Sequence, residues 1–97
     1  MAVYAIISEF PQPELKESIS QNFEGAYFHF TDTVSFVRST GTSKAIARSV
    51  GIKDVDDDGH STGRFENVAV VRANPSYWGF SKASLWDWLK DAFEADD

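Results

Sequence analysis

AYFHFTDTVSFVR, residues 26–38, is the stretch on which the fold turns. Two runs rich in aromatic and β-branched residues, AYFHF (26–30) and VSFVR (34–38), flank Thr31-Asp32-Thr33. So short a link between two such runs makes a β-hairpin. On its N-terminal side, AVYAII (2–7) is a short apolar run of β-formers and reads as a strand. Pro11 and Pro13 break the chain after it, and Pro13 suits the first turn of a helix. Leu15, Ile19 and Phe23 recur every four residues, which places one apolar stripe on a helix over 13–23, ended by Gly25.

On the C-terminal side, Thr42 or Ser43 caps a helix carrying Ala45, Ile46 and Val50, with Gly51 as its stop. An acidic loop follows, and ENVAVVR (66–72) is the fourth strand. Asn74-Pro75 opens a loop, and Ser81 caps a last helix over about 81–93. Leu85, Trp88, Leu89, Ala92 and Phe93 share one face of it, with Trp86 at the margin and Asp87, Lys90 and Asp91 opposite. This order predicts an α+β fold in a single domain over residues 1–97. It is the ferredoxin-like βαββαβ pattern, a four-stranded antiparallel sheet with both main helices on one face, plus a C-terminal helix.

A sheet shielded on one face alternates apolar and polar residues along its strands. These strands alternate poorly. AVYAII is apolar on both faces and VAVV (68–71) nearly so, while Phe28 and Phe30 face one way and Tyr27 and His29 the other. The second face therefore needs a cover. Either the last helix, with Trp86 and Trp88, folds back over it, or another copy of the chain does. The favoured reading is a homodimer, face to face or by edge-strand exchange, working through protein contacts without catalysing a reaction.

Composition narrows the function classes. The 97 residues are 42% hydrophobic and 25% charged, ordinary globular values, and include eight Phe, three Tyr and three Trp. Fifteen acidic against nine basic side chains give a net charge of −6, which repels phosphate backbones and leaves open an acidic phosphate mimic. Without cysteine there is no disulfide, thiolate nucleophile or Cys-based zinc site. No apolar run approaches the ~20 residues that span a bilayer, and MAVYAIISEF lacks the basic start of a secretory signal. A cytoplasmic protein without membrane contact is the default.

Four stretches carry candidate chemistry. Asp54, Asp56, Asp58 and Gly59 open like a calcium loop, D-x-D-x-D-G. The twelfth position is Phe65 where a bidentate Glu is needed, Glu66 comes one residue late, and a strand follows where a helix should. The loop reads as solvated charge, at most a weak divalent-cation site; no cofactor is expected. Arg38, Lys44, Arg48 and Lys53 occur with no acid between them, and Thr42 and Lys44 stand at a helix start that attracts anions or a nucleic-acid backbone. No G-x-x-x-x-G-K-[ST] is present, and the plainer reading is a solvated helix face. His29 is a candidate base beside Asp32 or Ser8, against the commoner role of a histidine satisfied by its neighbours. Tyr77 and Trp78, with Trp86 and Trp88, read as an aromatic anchor for the last helix before they read as a base-stacking surface.

At SYWGFSKASLWDWLK (76–90) the chain resembles small bacterial proteins often labelled SinR-like, which share the ferredoxin-like fold of the CRISPR-associated adaptation nucleases. VYAIIS and YFHFTDTVSFVRS carry the same likeness. The resemblance implies a dimeric domain and, as the alternative function, a divergent metal-dependent nuclease or nucleic-acid-binding protein. Those nucleases place an Asp at the end of the first strand. Here that end reads Ile7-Ser8-Glu9, so Glu9 and Ser8 are the catalytic candidates by position, and serine is a poor divalent ligand.

Overall fold

Side-chain parity along the first strand organises the molecule. The computed structural model describes residues 1–55, 58–74, 79 and 81–94. β1 (Ala2–Ser8) pairs antiparallel with β3 (Val34–Ser39) on one side and β6 (Val68–Ala73) on the other. β2 (Tyr27–His29) pairs antiparallel with β3, so the sheet runs β2-β3-β1-β6. Because successive side chains point to opposite faces, Tyr4 and Ile6 look one way while Val3, Ala5 and Ile7 look the other.

On the Tyr4 side lie α1 (Pro13–Asn22) and α2 (Ser43–Val50). Leu15 and Ile19 of α1, four residues apart, pack with Ile46 and Val50 of α2 against Tyr4, Ile6 and Val37, and Phe65 closes this core. Pro13 opens α1 at a position where a missing N–H costs nothing. Thr42 caps α2, its Oγ1 accepting the Ala45 N–H at 3.1 Å. Gly51 (φ 93°) ends α2 in the left-handed region, its N–H returning to the last turn. The Tyr4 hydroxyl donates to the Gly41 carbonyl at 2.6 Å, which ties the central strand to the start of α2.

On the Val3 side lies α3 (Ala83–Glu94). Its spacing at 85, 89 and 92 sets Leu85, Leu89 and Ala92 on Val3, with Phe28, Phe36 and Ala73 around them. Trp88 meets Phe28 and Phe36 at ring-centroid distances of 6.1 and 6.3 Å. The helix begins two residues after Ser81, with Leu85 N–H bonded to the Lys82 carbonyl. The fold is thus α+β in three layers, two helices, a four-stranded antiparallel sheet and a third helix. The acidic stretch, read as a loop, folds instead into a small hairpin of β4 (Asp54–Val55) and β5 (Ser61–Thr62), a separate two-stranded sheet. No helix among the described residues is long and apolar enough to cross a membrane.

Candidate functional site

The third layer is shorter than the sheet it covers. α3 sits over the end of the sheet that holds Val3, which is fully buried. Towards the other end of the same face, Val34, Ile7 and Ala69 form one cross-strand row, and Phe36, Ala5 and Val71 the next. Ile7 is 42% exposed and Val71 51%, against the few per cent of their counterparts beneath the helices. No side chain in these two rows carries charge. Phe36 in the second row is met by Trp88 of α3, so the open part of this face is Ile7, Ala69 and Val71, neighbouring apolar side chains left in water that mark a contact surface. Beside them β6 is an edge strand of six residues, while the opposite edge, β2, has three. The sheet is open at one corner, on its face and along its margin.

The other candidate residues are divided among separate places. Lys44 and Arg48 lie on α2, where Arg48 Nε meets Asp54 Oδ2 at 3.4 Å. Asp54 is held below the usual carboxylate range, first by the Val55 N–H it accepts and then by Arg48. One member of the calcium-like motif thus compensates one member of the basic cluster. Asp56 lies outside the described residues, and Asp58 is exposed at the turn of the small hairpin. Among the described residues, no group of three His, Asp or Glu side chains converges as a cation site. Thr42 spends its hydroxyl oxygen on the helix cap. Arg38 projects to the opposite face of the sheet from α2, into a recess lined by Gly25, Trp88, Asp91 and Ala92. Its Nε is buried without a hydrogen-bond partner. The linear run of basic residues therefore does not make one patch.

His29 is held from both sides. Its Nε2 lies 2.9 Å from Ser20 Oγ on α1, and its Nδ1 lies 2.7 Å from Ser35 Oγ on β3. Ser20 Oγ also lies 3.0 Å from the Lys16 carbonyl; with the hydroxyl proton given there, Nε2 donates to Ser20 and Nδ1 accepts from Ser35. Burial and the nearby Lys16 ammonium lower the His29 pKa. Lys16 is itself paired with Asp32 at 3.3 Å. The imidazole thus ties α1 to the hairpin, and Ser20 and Ser35, separated from it by nine and six residues, are the partners that the sequence pattern did not single out. Ser8 is buried and donates to the Phe10 carbonyl, whereas Glu9 is exposed. Trp86 donates its indole N–H to the Ser81 carbonyl at the start of α3, and Tyr77 and Trp78 lie outside the described residues.

What the sequence reading did not locate was the open corner itself. The signal was present in the unbroken apolar run of the first strand, but the extent of α3 decides which of its outward residues stay wet. Comparison of the chain with protein-family models, with curated proteins and with solved structures gives no match.

Proposed function

We propose that this chain is a ferredoxin-like interaction module that works as a homodimer through protein contacts rather than by catalysis. The strand order supports the fold assignment, with β3 lying between β1 and β2 and the last sheet strand on the far side of β1. The likeness to SinR-like proteins points the same way. The observation that carries the homodimer is the open corner, where Ile7 and Val71 stay exposed on the face that α3 covers only in part. Completing the burial of these two half-exposed side chains contributes at most on the order of 2 kcal/mol together, less than the roughly 4 kcal/mol or more that association costs, so backbone pairing along the free β6 margin has to supply the rest. The expected dimer is therefore weak and concentration-dependent.

Sedimentation velocity across a concentration series tests this. A monomer–dimer equilibrium is expected, and Val71→Glu, which adds a carboxylate to an uncharged surface on an acidic chain, shifts it to monomer without altering the circular dichroism. A folded wild-type chain that stays monomeric throughout overturns the proposal. A parallel assay follows RNA and DNA with magnesium or manganese; cleavage that disappears in Glu9→Ala would replace the module with the nuclease reading.

A further inference from the structure

We propose that two copies join their sheets edge to edge, β6 against β6, antiparallel and with Val70 opposite its counterpart. This rests on the homodimer reading above and specifies its geometry.

The direction of the backbone groups fixes the register. Beyond the last paired residues, Ser8 and Val68, the β1–β6 ladder continues with Glu9 N–H bonded to the Asn67 carbonyl at 3.0 Å. Hydrogen-bonded pairs alternate along an antiparallel ladder. Counting back from Glu9–Asn67, the pairs Ile7–Ala69, Ala5–Val71 and Val3–Ala73 exchange bonds. Ser8 N–H, bonded to the Thr33 carbonyl, shows independently that the even residues of β1 serve β3 and leave the odd ones for β6. On β6 it follows that Val68, Val70 and Arg72 direct their N–H and C=O groups away from β1, along the sheet margin. The small β4–β5 hairpin belongs to another sheet and does not pair with them. An edge of this length with no proline is a template for another strand.

A second copy satisfies that template. In a twofold antiparallel pairing centred on Val70, the bonded pairs are Val70 with Val70, Val68 with Arg72 and Arg72 with Val68, so every outward group between 68 and 72 finds a partner. Charge favours the same direction, because parallel in-register pairing sets Arg72 on Arg72 whereas antiparallel pairing sets each Arg72 opposite an uncharged Val68. The twofold axis stands perpendicular to the sheet, so Ala69 lies beside the second copy's Val71 and each shields the other at the seam, while Ile7, one strand in from the margin, is left to neither copy. The row Ile7–Ala69 then runs on across the seam into Val71–Ala5.

Because the chain has no cysteine, single substitutions report geometry cleanly. Facing residues that do not exchange bonds have Cα atoms about 4.5 Å apart, within disulfide reach. Ala69→Cys and Val71→Cys, mixed at a concentration where sedimentation shows dimer, are expected to form a disulfide across copies on mild oxidation, while neither crosslinks alone. Val70→Pro removes a donor that faces outward and leaves the β1 ladder intact; loss of the dimer with unchanged circular dichroism is expected. If Ile7→Cys crosslinks to itself, if the mixed pair does not crosslink, or if Val70→Pro still dimerises, the strand pairing is wrong while the homodimer stands. If sedimentation shows no dimer at all, both fall together.

Discussion

Gly63 is the glycine with the least room for a side chain. Its φ is +77°, and a Cβ built there would lie 2.4 Å from the Ile52 carbonyl oxygen. Around it, the N–H groups of Arg64 and Phe65 both bond to the Gly51 carbonyl, which holds buried Phe65 under α2. Gly25 has nearly the same φ, +76°, with open space where the Cβ would go. Left-handed strain alone costs about 1–2 kcal/mol. Gly25→Ala is therefore expected to destabilise by about that much in urea denaturation. Gly63→Ala should cost clearly more, about 2–4 kcal/mol once the backbone clash is added. Equal costs would show that the 51–65 junction relaxes freely. The contrast was not legible in the sequence, where both positions are only glycines between elements. The same limit applied to His29. Its strand and its direction could be inferred from alternation, but its two serine partners come from a helix and a strand whose approach only the packing sets.

Among the elements, α3 stands apart. α1 and α2 share one core with the sheet, while α3 contributes Leu85, Leu89 and Ala92 to a second core that rests on Val3. Units with fewer buried contacts open more readily than the whole molecule unfolds. Amide hydrogen exchange should therefore find α3 less protected than β1 and β3. Trp88→Ala, which removes the ring contacts with Phe28 and Phe36, is expected to raise exchange in α3 by several-fold and leave β1 largely unchanged. A uniform rise through all strands would mean that both cores unfold as one. Helix periodicity and the Thr42 cap made the helices readable from sequence, and the aromatic runs made the hairpin so. The β4–β5 hairpin escaped that reading because each strand is two residues long and the stretch is dominated by Asp and Gly, poor β-formers.

For the molecule as a whole, protonation links the layers to pH. His29 has a folded pKa below its ordinary value, so the unfolded chain takes up a proton more readily than the folded one. The stability this group contributes is present above about pH 6.5 and is lost as pH falls through its lower folded value. Asp54 and Glu66 are likewise lowered, Asp54 first by the Val55 N–H and Glu66 first by Lys53, so their contribution is present above about pH 4 and is lost below it. Thermal melts from pH 7 to pH 5 should show declining stability in the wild type and a flatter profile in His29→Gln. NMR titration of the imidazole should place its midpoint below 6.5. A midpoint at or above that value would contradict the burial of the ring.

The layering also has a temporal side. α3 is translated after every strand it shields, so each new copy passes through an interval in which the Val3 flank is naked from end to end. During that interval the nascent sheet is a stickier object than the finished one. Chaperone demand and co-translational pairing would both be concentrated in those moments before the last helix emerges.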